Sequence, residues 1–323
     1  MSRSLLIAVA FLIYATPAPA ADKDLPKVPD RGLGALVKEP TNANDLYERA
    51  THRPDSEKEL ALADLNKAIE LNPKMDGAIS TRAQLLSSMG RHTEAIADYS
   101  LYLKRHPGDY PSLFNRAGQY RAVKRYEESI ADYDDILDGC DFGRTSTPKE
   151  HALARTRHYR GNILLEWTKD YAAAVDDYSK ALELDPQITE VRMQRAAVYR
   201  KLGQFDKSQA DYREQLEIKP DESWSDWAWQ SATCPDAQFR DGQRAIRLAQ
   251  KSCENSNWSI PANISILAAA YAEAGRYDDA IKMQSRAIEE NKLDYWKPIF
   301  AKRLESFQQS KPLRHDPTVK KAS

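Results

Sequence analysis

Only three of the 323 residues are cysteine, at positions 140, 234 and 253, so an oxidised monomer can form at most one bridge and keeps at least one thiol. The 12 glycines form no phosphate-cradling loop, and no Gly-x-Ser-x-Gly turn occurs. Charge of one sign is missing too: 47 basic residues face 48 acidic ones, a net charge of -1 that selects no partner and argues against nucleic acid. The longest apolar run, Leu5 to Tyr14, is too short to cross a bilayer. With six histidines there is little to bind a metal. His151 and His158 are seven apart and could share a helical face, but no cysteine or carboxylate completes a ligand set. The acidic residues follow a repeat, so pairing any two as acid and base would be arbitrary. No catalytic residue, metal site or cofactor is expected.

What is present begins with a leader. Arg3, the apolar run and Ala18-Pro19-Ala20 read as a signal peptide over 1–20, with no cysteine at the cleavage point, so the mature protein is expected to be exported, periplasmic or secreted, with no membrane span left. Residues 21–41, with Pro26, Pro29, Pro40, Gly32 and Gly34, read as a flexible linker, and 311–323 as a disordered basic tail. Between them, hydrophobic residues at 41% and charged ones at 29% suit a helical body over 42–310.

That body is periodic. From Thr189 to Pro220, Ala196 and Tyr199 share one helix face, Gly203-Gln204 makes a turn, Ser208 and Tyr212 share the next face, and Pro220 stops the helix. Pro73 and Pro107 are 34 apart, as are Pro186 and Pro220. Ala83, Ala117, Gly161 and Ala196 mark first helices; Leu65, Tyr99, Tyr133, Tyr178 and Tyr212 mark second helices. This pattern resembles the tetratricopeptide repeat. The resemblance implies an all-α, right-handed α-solenoid of about seven helix-turn-helix repeats, near 42–73, 76–107, 110–141, 151–186, 189–220, 221–257 and 260–292, with a capping helix at 295–309. The first repeat has a long polar connection from Thr51 to Glu59, the stretch 141–150 is an insertion, and the fourth repeat carries one extra residue between its helices. The sixth departs most, with Trp224, Trp227 and Trp229 in its first helix and ATCPDAQFRDG in place of a short turn. Trp167, Trp258 and Trp296 read as core and cap residues.

Arg82, Arg116, Arg160 and Arg195 each precede the small residue of a first helix, while Asp98, Asp132, Asp177 and Asp211 each precede the second-helix tyrosine. Their separations of 16, 16, 17 and 16 residues predict an ion-pair ladder between packed helices. By its family positions, the resemblance assigns a concave peptide groove to Ser80, Gln84, Ser87, Phe114, Arg121, His158, Asn162, Met193, Arg200 and Lys201. A solvated helix face is the competing reading. Cys234 and Cys253 could bridge if the long loop folds back, although a regular hairpin would keep them apart. Together these readings predict a non-enzymatic protein–protein interaction scaffold for a protein or peptide of unknown identity. A structural subunit of an envelope or secretion assembly is the first alternative, and an enzyme with an unrecognised site is the second.

Overall fold

The structure is a computed structural model that describes residues 42–142, 147–219 and 224–314. The expected leader, the linker at 21–41 and nearly all of the basic tail lie outside the described residues. Among the described residues the regular structure is helical, and none of the helices is long and apolar enough to cross a membrane.

The chain divides into two compact units, Met1–Thr156 and Arg157–Ser323. Among its described residues the first contains three helical hairpins: α1 (Ala43–His52) with α2 (Lys58–Leu71), α3 (Asp76–Ser88) with α4 (His92–Leu103), and α5 (Tyr110–Ala122) with α6 (Tyr126–Gly139). The division falls inside α7 (Lys149–Ile163). The second unit continues with α8 (Tyr171–Leu184), α9 (Thr189–Lys201) paired with α10 (Phe205–Ile218), α11 (Trp224–Thr233) with α12 (Gly242–Asn255), and α13 (Pro261–Glu273) with α14 (Tyr277–Glu290). The last helix among the described residues, α15 (Lys297–Gln308), packs on α14.

The turns inside the hairpins explain why the helices stop. After α3, Gly90 has φ +73° and its N–H donates to the Ser87 carbonyl at 3.0 Å, while Arg91 N–H reaches Leu86 O at 2.9 Å. This left-handed cap satisfies carbonyls that the helix end leaves open. The close approach that follows needs small residues. Ala83, Ala117 and Ala196 are fully buried. A Cβ on Gly161 would stand 2.8 Å from Tyr178 Cε1, so only glycine fits there.

The extra residue of the fourth repeat is taken up as a π turn at Leu164–Thr168, closed by Lys169 at φ 58°. One added residue between fixed helices widens the last turn rather than forming a loop. The first residue of the insertion, Asp141, meets the start of α5: its N–H donates to Gly108 O at 2.7 Å and Tyr110 N–H donates to Asp141 O at 3.3 Å. In the sixth repeat, Trp224 and Trp227 are buried and the long turn contains the short helix Ala237–Phe239. Trp258 and Trp296 are half-buried against the core of the second unit, but Trp167 is 40% exposed and is not a core residue. It sits on the π turn at Leu164–Thr168, where only Leu165 is buried.

Cys234 and Cys253 are both buried free thiols, so the possible bridge is not made. Cys234 follows the end of α11, close to where α12 begins, whereas Cys253 lies 11 residues beyond Gly242. At 1.5 Å per residue that is about 16 Å along the helix, far beyond disulfide reach.

One cross-hairpin contact makes stability depend on pH. Asp76, at the start of α3, receives His106 Nε2 at 2.7 Å and also pairs with Arg105. The His106 hydrogen bond, with the arginine adding to it, holds the Asp76 carboxyl below its usual range. A depressed carboxyl stabilises the fold above its unfolded pKa and loses that contribution as pH falls through its folded pKa. Asp76→Asn is therefore expected to cost about 1 kcal/mol or less at pH 7, because the pair is partly solvated. In urea melts of both proteins the gap should close at pH values below the ordinary aspartate range; a gap independent of pH would reject this account.

Candidate functional site

The arginine and aspartate positions meet as bidentate pairs. Arg82 Nε and Nη2 donate to Asp98 at 2.7 and 2.7 Å, and Arg116 to Asp132 at 2.9 and 2.6 Å. Arg160 donates to Asp177 at 2.8 and 2.7 Å, and Arg195 to Asp211 at 3.0 and 2.6 Å. The remaining Nη1 reaches back to the preceding hairpin: from Arg82 to Asn66 at 2.9 Å, from Arg116 to Ser100 at 3.1 Å and from Arg195 to Ser179 at 3.0 Å. Each of these three arginines therefore ties together its own helix, the next one and the one before. Burial pushes the Asp132 and Asp211 carboxyls up against the pull of their arginines, and the same carboxylates outweigh burial to raise Arg116 and Arg195. These groups are occupied in holding the repeats together.

Two ladder members escape the sequence pattern. Asp64 accepts from Arg49 Nε at 2.9 Å and from Arg53 Nε at 2.8 Å, which extends the ladder into the first hairpin with a separation of 15 residues. Asp177 also accepts from Arg157 Nη1 at 3.0 Å. Arg157 stands three residues before Arg160, and helical spacing could have found it.

The ten expected groove residues divide between the two units. In the first, Gln84 is exposed on α3 between half-buried Ser80 and Ser87, one helical turn away on either side. Ser87 Oγ accepts from Gln119 Nε2 at 2.7 Å, and Gln119 Oε1 lies 2.7 Å from His92 Nδ1. Arg121 is half-buried on α5. Phe114 is not a groove residue: it is 7% exposed, packs on Tyr110 and Tyr133, and lies under the Arg155 guanidinium at 4.9 Å.

In the second unit His158 is likewise buried, with Nε2 2.7 Å from Gln194 Oε1. Asn162 Oδ1 accepts from Tyr178 OH at 2.6 Å, and Met193 packs against the core. Lys201 is half-buried over Tyr171, and burial lowers its pKa. Arg200 is half-buried with Nε and Nη1 enclosed. Assignment by repeat position failed at Phe114 and His158 because it takes no account of Arg155 and Gln194, the neighbours that cover them.

A family profile described as "Tetratricopeptide repeat" matches residues 161–188 and 189–222. These cover both members of the Arg195–Asp211 pair and the Asp177 side of the Arg160–Asp177 pair. A solved tetratricopeptide repeat protein from Parabacteroides merdae superposes with a TM-score of 0.50 at 16% identity, covering 82% of this chain and 98% of that one. This is a tetratricopeptide repeat protein. Among curated relatives, a "DnaJ protein P58IPK homolog" of Arabidopsis thaliana is 26% identical over 195 residues, which is 59% of this chain and 40% of that protein. "Cellulose synthase operon protein C" of Pseudomonas fluorescens is 25% identical over 266 residues, 70% of this chain and 20% of that protein. The chain thus matches well under half the length of these relatives. The tetratricopeptide fold supports a protein–protein interaction scaffold.

Proposed function

We propose that this tetratricopeptide repeat protein is a non-enzymatic binding scaffold outside the cytoplasm that holds a protein or peptide on the first-helix face of its repeats. The observation that carries the reading is that this face is preformed. In the first unit, the Ser87–Gln119–His92 hydrogen bonds fix α3, α4 and α5 together before any partner arrives, so little ordering entropy remains to be lost on binding. Gln84 and its neighbours Ser80 and Ser87 then present a polar stripe on α3, and Arg121 is half-buried on α5. Export rests on the leader-like start of the sequence.

The test is a crosslinked pull-down from the extracytoplasmic fraction, comparing the wild type with Ser80→Glu, Gln84→Glu, Arg121→Glu. These positions avoid the buried Phe114 and the enclosed Arg200. We expect one specific protein to be lost, by tenfold or more, from a variant whose helicity is unchanged. A partner retained equally by both forms would refute the face and favour contacts made by helix ends. Recovery of the protein only from cytoplasm would refute the location.

A further inference from the structure

The ladder arginines share a register. Arg82, Arg116 and Arg195 are each the seventh residue of their helices, counted from Asp76, Tyr110 and Thr189. The seventh residue of α15, counted from Lys297, is also an arginine, Arg303. Its acidic partner is absent. Sixteen residues on stands Val319, and among the described residues no carboxylate lies within ion-pair distance of Arg303.

Arg303 is instead held ready by neutral groups. Its Nη1 donates to Ser265 Oγ at 2.7 Å, Ser265 donates to Gln284 Oε1 at 2.8 Å, and Gln284 Nε2 donates to Phe300 O at 3.2 Å. Ser265, Gln284 and Phe300 are fully buried, so this relay fixes the guanidinium from below. From the side, Cζ lies 4.4 Å from the centre of the Trp229 ring. Trp229, Ser265 and Arg303 belong to α11, α13 and α15, three first helices in succession, and Arg303 and Trp229 are both half-buried rather than sealed. Burial with no acid nearby pushes the Arg303 guanidinium down to about 10, whereas Arg116 and Arg195 are raised by their aspartates.

We propose that Arg303, stacked on Trp229 and anchored by Ser265, is a socket for a carboxylate of a bound peptide, from an Asp or Glu side chain or from a free C-terminus. The guanidinium fork matches a carboxylate in plane, and the Nη1 bond to Ser265 leaves Nε and Nη2 to receive it. A monoanion is favoured over a phosphate because one isolated cation in a partly desolvated place neutralises one charge and leaves none over. The socket extends the scaffold reading and rests on it, but uses residues separate from those of the first-unit face.

The test follows the Arg303 Nε–Hε resonance by NMR in the full chain, assigned with Arg303→Lys. Four probes are titrated: an acetylated Ala/Leu pentapeptide amide, the same peptide with a free C-terminus, the amide with one internal Glu, and sodium acetate. We expect a saturable shift with at least one of the two acidic peptides and none with the neutral amide. The responding peptide identifies the source of the carboxylate, and Arg303→Gln should weaken its binding by about tenfold or more. Ser265→Ala should weaken it less, by loosening the guanidinium. An equal response to the neutral amide, or no saturable response to either acidic peptide, would overturn the socket. A shift on Asp316→Asn without peptide would also overturn it, since the chain's own tail would then be the occupant. A first-unit partner lost in the pull-down with no response here would remove the socket and leave the scaffold; socket binding with no such partner would do the reverse.

Discussion

Asp177→Ala is expected to destabilise the second unit by about 3 kcal/mol, the lower part of the range for stripping one member from a buried ion pair. Asp177 is 1% exposed and accepts three arginine hydrogen bonds, two from Arg160 and one from Arg157. Removing it leaves two guanidinium groups facing each other across an emptied site. Their side chains are 22% and 21% exposed, so water recovers part of the loss and keeps it at the lower end of that range. Asp177→Asn keeps the shape and loses the charge, so it should fall between alanine and wild type. The control lies one residue away: Asp176 pairs with Lys180 at 2.6 Å in the open, and Asp176→Ala should cost less than about 1 kcal/mol. Urea denaturation followed by circular dichroism measures all three. Because each repeat touches only its neighbours, the loss should appear as a separate early transition rather than a uniform shift. Equal effects for the two alanine variants would show that the ladder contributes no more than a surface pair.

The ladder was legible in the sequence because it is locked to the repeat: an arginine before each small residue and an aspartate before each tyrosine can only face each other if the hairpins close in register. The Arg49–Asp64 pair was hidden because its 15-residue offset falls outside that register. The added residue of the fourth repeat could be counted, but the choice of a π turn over a loop depends on the fixed positions of α7 and α8, which a one-dimensional pattern does not contain. Burial of Phe114 and His158 depends on long side chains arriving from neighbouring helices, Arg155 over the ring and Gln194 on the imidazole nitrogen. Helical phase gives the direction in which a side chain leaves its helix, not what lies over it. The same limit hid Arg303, whose register is visible but whose missing acid and Trp229 platform are properties of three helices at once.

Phe300→Ala is expected to cost about 3 to 5 kcal/mol, the usual range for emptying a fully buried phenylalanine site. Phe300 is fully buried, and its ring stacks on Trp296 at 5.3 Å, so the transfer loss and the cavity are both large. Its backbone carbonyl also ends the relay from Arg303 through Ser265 and Gln284, and α15 must stay docked for that bond to persist. The stability cannot fall by more than the docking of α15 contributes, since in a nearest-neighbour stack a last helix detaches before the hairpin beneath it unfolds. The expected signature is therefore local: amides of α15 exchange much faster in the variant, those of α13 and α14 change little, and the Arg303 Nε resonance moves to its solvent-exposed position. Leu293→Ala, which alters a side chain 62% exposed, should leave all three observables unchanged. If Phe300→Ala instead melts α13 through α15 together, then α15 and the last hairpin fold as one cooperative unit, and the socket at Arg303 is part of the same core that holds Trp229.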